Sequence, residues 1–240
     1  MMKNIAQQSL SGIALEHQEL IPVLEKYNLD FCCGGKKSLS AACAEKNITL
    51  ETVLEEMKLA SGSPKTAMPF TEMSAGQLVA YILIHHHFYV KNIMPTIHGH
   101  LVKMVTKHGD RYPAMKRVLQ LFEAVQEEFL LHMQKEEQIL FPRIKEIEEA
   151  LITQRPITMS AGFISGPVGI MEMEHDHAGQ LLADIRELTG QYTPPADACT
   201  THRVCLEELK AFEEDLHRHV HLENNILFPM ATKMMMVNLQ

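Results

Sequence analysis

The sequence has no tryptophan, no long apolar run and almost none of the patterns that predict β-strands. Its longest apolar stretch, from Leu78 to Ile84, has seven residues, whereas a membrane-spanning helix needs roughly 18. Basic residues number 22 against 30 acidic ones, which argues against a nucleic-acid partner. The opening segment, MMKNIAQQSLSGIALEHQEL, lacks the apolar core of a signal peptide. We therefore expect a soluble, cytoplasmic protein with no membrane partner.

The histidine and cysteine content favours one kind of site, a metal site, and argues against another, a disulfide framework. The 240 residues include 14 His and carry a formal net charge of −8, and so many imidazoles in an acidic chain favour metal binding. The five cysteines are an odd number in a chain expected in the cytoplasm, which argues against a disulfide framework. Cys43, Cys199 and Cys205 lie on helical patterns, and we expect them to be buried small side chains.

Helical periodicity dominates the chain and predicts an all-α fold. Residues 61–70, which are rich in Gly, Pro and Ser, are the predicted linker. Residues 1–60 before it form a predicted small helical domain, whose core is marginal at this size. Docking or dimerisation would have to support such a domain, and a homodimer is one arrangement that does so. Residues 71–240 after the linker predict an up-down four-helix bundle.

The predicted elements within these domains are as follows. The small domain has one helix over 10–27, a turn at Asp30-Phe-Cys-Cys-Gly-Gly and short helices at about 37–46 and 50–60. The bundle has long helices at about 74–107, 114–147, 165–189 and 198–232.

An internal repeat, H-x3-E-x2-I-L-F-P, occurs at 132–142 and again at 219–229. A His and a Glu four residues apart lie on one face of a helix. In both helices this pair interrupts an otherwise apolar seam, and His175 interrupts the seam of the third helix in the same way. In the first helix both His86 and His87 fit an apolar seam, and periodicity does not choose between them. Glu137, about 100° around the helix from the repeat's Glu136, is expected to face elsewhere.

Glu136 and Glu223 lie on buried seams, and their negative charges need a compensating positive charge. A buried carboxylate costs several kcal/mol unless it is paired or binds a metal, and no Lys or Arg lies on these seams. A dinuclear metal site removes the difficulty, because each carboxylate bridges two cations and His side chains complete the coordination. Imidazole with carboxylate suits iron, manganese or zinc, and a pair of bridging carboxylates favours iron.

H-x3-E followed by L-F-P on two helices resembles the hemerythrin-like domains. With D-F-C-C-G-G, E-H-D-H-A-G at 174–179 and H-x-x-L-E-N-N-I-L-F-P near the end, the chain resembles the di-iron proteins for repair of iron centres, the YtfE/ScdA type, over nearly its whole length. The resemblance implies a hemerythrin-like bundle with an oxo-bridged pair of iron ions, preceded by a small Cys-Cys domain. Counting back from Met94-Pro95 it selects His87, although the preceding position, often Tyr in relatives, is His86 here. The implied ligands are His87, His132, Glu136, His175, His219 and Glu223.

The resemblance also implies a function in stress response. It suggests repair of iron–sulfur clusters damaged by nitric oxide or oxidants, by supply of iron, with damaged iron–sulfur proteins as clients and nitric oxide or O2 as small ligands. A di-iron nitric oxide reductase and an oxygen- or nitric-oxide-binding sensor are the alternatives, so whether the protein is an enzyme stays open. We expect no kinase or DNA-binding output segment, which counts against a sensor.

The adjacent Cys32 and Cys33 are implied to act as a thiol donor or redox relay. Two glycines follow them, and we expect these to let the backbone turn and to keep both thiols accessible. The structural alternative is two small residues packed in a turn, and whether the pair forms a disulfide stays open. Glu172 and Glu174 are candidates for supporting the metal ligands or for an iron exit route, with an exposed helix face as the alternative.

Overall fold

The structure is a computed structural model, and it describes residues 2–61, 68–156, 160 and 162–238. Over these ranges the chain is helical, with one isolated β-bridge between Ser9 and Ser38. The predicted all-α fold is confirmed. No helix in the described ranges is long and apolar enough to cross a bilayer.

The chain divides into two compact units. One consists of Met1–Ser74 with His217–Pro229, and the other of Ala75–Leu216 with Met230–Gln240. The last long helix of the chain therefore contributes residues to both. The predicted boundaries at 1–60, 61–70 and 71–240 stay predictions, and residues 62–67 of the predicted linker lie outside the described residues.

In the described residues of the first unit, four short helices pack around a small apolar core. Ser9 and Ser38 cap the first and third by accepting hydrogen bonds from the backbone N–H of Gly12 and Ala41. The helices are α1 (Leu10–Glu16), α2 (Ile21–Lys26), α3 (Leu39–Glu45) and α4 (Leu50–Ala60). Side chains buried between them include Ile13, Leu24, Phe31, Leu39, Val53 and Met57.

The prediction of one helix over 10–27 is wrong. His17 leaves the helical region, with φ −136° and ψ 65°, and a short 3-10 turn at Gln18–Leu20 precedes α2. Pro22 explains why the helix restarts there, because it has no N–H to donate to the carbonyl four residues earlier but fits the first turn of a new helix. The helices predicted at about 37–46 and 50–60 are confirmed.

The four long helical segments predicted after the linker are present in the described residues. The first is α5 (Ala75–Ile82), a π-helical segment (Leu83–His87) and α6 (Phe88–His108); the second is α7 (Ala114–Lys135), a π segment (Glu136–Leu140) and α8 (Phe141–Ile152). The third is α9 (Gly162–Leu188), and the fourth is α10 (Thr200–Leu222), a π segment (Glu223–Leu227) and α11 (Phe228–Asn238). Within the second unit α7 packs against both α6 and α9, and Phe122 of α7 meets Phe212 of α10 edge to face at 5.6 Å.

The three π segments of the described residues each contain one polar seam position, namely His87, Glu136 and Glu223. In each, a backbone N–H bonds to the carbonyl five residues earlier, as Phe141 does to Glu136 and Phe228 to Glu223. In the two repeats a proline follows, Pro142 or Pro229, and it cannot supply the ordinary bond to the carbonyl four residues back. The repeated I-L-F-P therefore gives the same local distortion twice. Such single-turn π segments are frequent at functional sites.

Candidate metal centre

The six side chains that the sequence singled out are buried. His87, His132 and His175 are 1% exposed. His219, Glu136 and Glu223 are 0% exposed. Aromatic rings pack against two of the imidazoles: Phe129 stacks on His132 at 5.0 Å between centroids, and Phe141 lies 5.6 Å from His87.

These six side chains form two groups of four that could each hold a metal ion. One group is His87, Glu136, His219 and Glu223, and the other is His132, Glu136, His175 and Glu223. Within each group, one donor atom per residue lies within 4.8 Å of the others. Both glutamates belong to both groups, which is the arrangement expected of carboxylates that bridge two cations. The structure thus brings all six residues together and places His87, not His86, among them; their role as ligands stays a prediction.

The distances between donor atoms suit cations of this kind. Glu136 Oε2 lies 3.4 Å from Nε2 of both His87 and His132. Nε2 of His132 and Nε2 of His175 are 2.9 Å apart, and His219 Nε2 is 3.0 Å from Glu223 Oε1. Two donors that each bind one cation at about 2.1 Å lie roughly 3.0 Å apart at a right angle and roughly 3.4 Å apart at the tetrahedral angle. The donor set of imidazole and carboxylate, and its spacing, therefore fit a metal such as iron.

Comparisons with known proteins agree with this geometry. Residues 78–231 match the hemerythrin HHE cation binding domain, and residues 6–61 match a domain of unknown function, DUF542. A probable iron-sulfur cluster repair protein of Haemophilus influenzae is 34% identical over 228 residues, which cover 94% of this chain and 97% of that protein. The chain belongs to the family of iron–sulfur cluster repair proteins. The iron-sulfur cluster repair proteins YtfE of Shigella boydii and Yersinia pseudotuberculosis are each 33% identical, over 93% and 94% of this chain and 96% and 97% of their own lengths.

The resemblance stated from the motifs is therefore confirmed, and so is the hemerythrin-like bundle. All six candidate ligands of this repair-family member lie inside the range that matches the cation binding domain. Cys32 and Cys33 lie inside the range that matches the N-terminal domain.

Two further carboxylates orient the candidate ligands. His87 Nδ1 is 2.7 Å from Glu137 Oε1, and Lys91 Nζ donates to the same oxygen at 2.6 Å. His132 Nδ1 is 2.9 Å from Glu174 Oε2, and Lys135 forms an ion pair with that carboxylate. A carboxylate on Nδ1 holds the proton there and leaves the lone pair of Nε2 directed at the metal position.

Both outer carboxylates stay ionised at neutral pH. Partial burial alone would raise the pKa of Glu137, but hydrogen bonds from Lys91 and His87 outweigh it, and the pKa lies below its ordinary value. The pKa of Glu174 is lowered in the same way, against burial, by Lys135 and His132. The two pairs are therefore alike in chemistry although they come from different helices.

The structure corrects the prediction for Glu137 and gives different positions to Glu172 and Glu174. Glu137, which the sequence predicts to face away from the site, bonds to His87. Lys91, one turn after His87, is the residue that could have indicated this, because a carboxylate between a ligand and a lysine is well compensated. Glu174 takes the supporting position predicted for it, whereas Glu172 is exposed. His86 is buried and bonds to Asp215 at 3.0 Å instead.

The five cysteines are free and differ in exposure. Cys32 is buried and Cys33 is partly exposed, so the expectation that both thiols are accessible is wrong for Cys32. The Cys199 prediction is also wrong, because this residue is exposed just before α10 begins at Thr200. Cys43 and Cys205 are buried as predicted.

Proposed function

We propose that this protein repairs iron–sulfur clusters damaged by nitric oxide or oxidative stress, and that it does so by supplying iron from a di-iron centre. The observation that carries the proposal is the pair of buried four-residue groups that share Glu136 and Glu223. The family supports the repair function, since the relatives compared above are named for iron–sulfur cluster repair. The number of irons, the iron supply and a cytoplasmic location belong to the proposal.

The donor set supports two ions. Each group offers four protein donors, fewer than the six positions that iron commonly fills. Open positions would let bound iron take up small diatomic molecules, and they would hold iron less firmly than a closed site. Both properties suit a protein that gives iron to clients rather than one that stores it.

The chain's own residues would manage charge during iron release. Glu136 and Glu223 are fully buried, so loss of the cations has to be accompanied by protonation or by entry of water. Glu137 and Glu174 keep the imidazoles of His87 and His132 oriented while this happens, because their own bonds to Lys91 and Lys135 do not involve the metal. The ligands thus stay arranged for rebinding.

The N-terminal domain is proposed to supply thiol chemistry through Cys32 and Cys33. The partly exposed Cys33 supports this. Clients would be iron–sulfur proteins whose clusters have lost iron.

The test is anaerobic iron transfer. Reduced, iron-loaded protein is mixed with an apo ferredoxin and inorganic sulfide, and cluster formation is followed by visible absorption. Nitric oxide is added to a separate sample of the reduced protein, and its headspace is analysed for nitrous oxide. Glu136→Ala/Glu223→Ala removes the proposed bridges, Cys32→Ser/Cys33→Ser removes the thiols, and Glu127→Ala/Glu207→Ala, on exposed positions of the same two helices, is the matched control.

Iron transfer by the wild type and the control, lost in the bridge variant and without nitrous oxide, is the expected result. Nitrous oxide release without iron transfer would replace iron supply by nitric oxide reduction. Tight retention of iron with neither outcome would overturn the proposal in favour of a ligand-binding role.

A further inference from the structure

The turn between α2 and α3 is organised around one carboxylate. Asp30 Oδ1 accepts the backbone N–H groups of Cys32 and Cys33, each at 3.0 Å, and the Cys32 thiol at 3.1 Å. Its other oxygen accepts the N–H of Gly34 at 2.8 Å. Burial would raise the pKa of Asp30, but these hydrogen bonds outweigh it and lower the pKa. The Asp30 carboxylate is therefore ionised, and both of its oxygens accept hydrogen bonds from groups of this turn.

The two glycines are needed for close approach and not for a positive φ. A Cβ on Gly34 would lie 2.9 Å from Asp30 Oδ2, and a Cβ on Gly35 would lie 2.5 Å from the Phe31 carbonyl oxygen. Ser11 Oγ donates to the Gly35 carbonyl at 3.0 Å and ties the turn to α1. The D-F-C-C-G-G segment is thus a tightly specified structure rather than a loose loop.

This structure makes the two adjacent thiols unequal. Cys32 is 7% exposed and its thiol is bonded to Asp30. A hydrogen bond with the Cys33 side chain, burial and the nearby Asp30 carboxylate raise the pKa of Cys32 well above its ordinary value. The buried, hydrogen-bonded thiol is therefore a poor nucleophile at neutral pH.

Cys33 has a different environment. It is partly exposed, and Asn224 Nδ2 approaches its sulfur at 3.9 Å. The next residue, Asn225, donates to the Cys32 carbonyl at 3.1 Å and so also holds the turn. Both asparagines lie in the π segment that begins with Glu223, within the same compact unit as the turn.

We propose that Cys33 is the reacting thiol of the pair, and that Asp30 is a positioning residue that keeps Cys32 reduced and protected. The inference rests on the proposed thiol role of the N-terminal domain. Its co-reactants are small disulfides. In the step, Cys33 gives its proton to solvent and its sulfur attacks one sulfur of the disulfide. A Cys33–sulfur bond forms as the original S–S bond breaks, and the departing thiolate takes the electron pair and then a proton.

The experiment measures the modification rate of each cysteine in the full-length protein. Limiting iodoacetamide, and in a second series oxidised glutathione, is applied briefly, and modification is quantified by peptide mass spectrometry. The chain supplies its own standards, since Cys199 is exposed while Cys43 and Cys205 are buried. We expect Cys33 to react at least about tenfold faster than Cys32. Modification of Cys32 at the same rate or faster, or a Cys33 as slow as Cys43, would overturn the proposal.

Asp30 variants test the positioning role. Asp30→Ala should narrow the difference between the two cysteines, whereas Asp30→Asn, which keeps an acceptor oxygen, should retain part of it. Asp184→Asn, which removes a carboxylate on α9 that accepts a local hydrogen bond from Gln180, is the matched control. An unchanged rate ratio in Asp30→Ala would contradict the role of Asp30.

Two further measurements distinguish the possible outcomes. If circular dichroism shows that Asp30→Ala does not fold, Cys33→Ser still tests whether Cys32 is protected. In that variant Cys32 should be modified as slowly as Cys43. The iron content is measured on the same samples. A protein that transfers iron but modifies Cys32 first would overturn only this inference, and one that modifies Cys33 first but transfers no iron would overturn only the proposed function.

Discussion

Glu137 offers a sharp test of the metal centre, because its contribution is confined to orienting one candidate ligand. Its carboxylate is 2.7 Å from His87 Nδ1 and is also bonded to Lys91. Removing such an outer partner typically lowers metal affinity about 10- to 100-fold, which corresponds to about 1.4 to 2.8 kcal/mol. The Glu137 side chain is 29% exposed, so solvent screens part of its charge. We therefore expect Glu137→Gln, which keeps an acceptor oxygen, near the tenfold end and Glu137→Ala nearer the upper end.

The assay is competition for ferrous iron against a chromogenic chelator under anaerobic conditions, with unfolding by urea measured alongside. Glu128→Gln is the matched control, since Glu128 lies on the same helix and forms the same kind of pair, 2.7 Å from Nδ1 of His177, which is outside both groups of candidate ligands. Unchanged iron affinity in both Glu137 variants, or an equal loss in Glu128→Gln, would refute the orienting role.

The remaining predictions concern stability. Arg186→Met removes a 2.7 Å ion pair from the buried Glu213, and we expect the free energy of unfolding to fall by about 3 kcal/mol. The control is Arg117→Met at an exposed position, which should change the free energy of unfolding by no more than about 0.5 kcal/mol. Equal effects of the two substitutions in urea titrations would contradict this prediction. Burial lowers the pKa of His202 below its ordinary value of 6.5. As the pH falls, His202 is therefore protonated in the unfolded chain before it is protonated in the folded protein. The stability that the neutral, buried His202 contributes is present above pH 6.5 and is lost as the pH falls below that value. His202→Gln should therefore lose less stability between pH 7 and pH 5 than the wild type or His177→Gln, measured by thermal unfolding, and parallel curves would show that His202 is not responsible.

Much of the site could be predicted from the repeat. A His and a Glu four residues apart on an apolar seam must be buried together, and finding the pattern on two helices left a metal as the simplest compensation for Glu136 and Glu223. Periodicity does not choose between His86 and His87, because both residues fit an apolar seam. The structure separates them through their partners: His86 bonds to Asp215, and His87 joins the candidate ligands.

The missed features depend on geometry that spacing does not contain. Glu137 lies in the π segment that starts at Glu136 and bonds across to His87 of the first bundle helix. The burial of Cys32 depends on Asp30 folding back onto four donors of its own turn. The exposure of Cys199 depends on where α10 begins, and the limits of helices are the least certain part of a sequence-based prediction.

The most direct test of the central claim is the metal content of the purified protein with its visible spectrum. The proteins to compare are the wild type, Glu136→Ala/Glu223→Ala and the control Glu127→Ala/Glu207→Ala. The account predicts about two irons per chain with oxo-bridge absorption in the wild type and the control, and loss of both in the bridge variant. Zinc or no metal in the wild type, or iron unaltered by removal of both buried glutamates, would contradict it and leave the seam His and Glu residues with structural roles only.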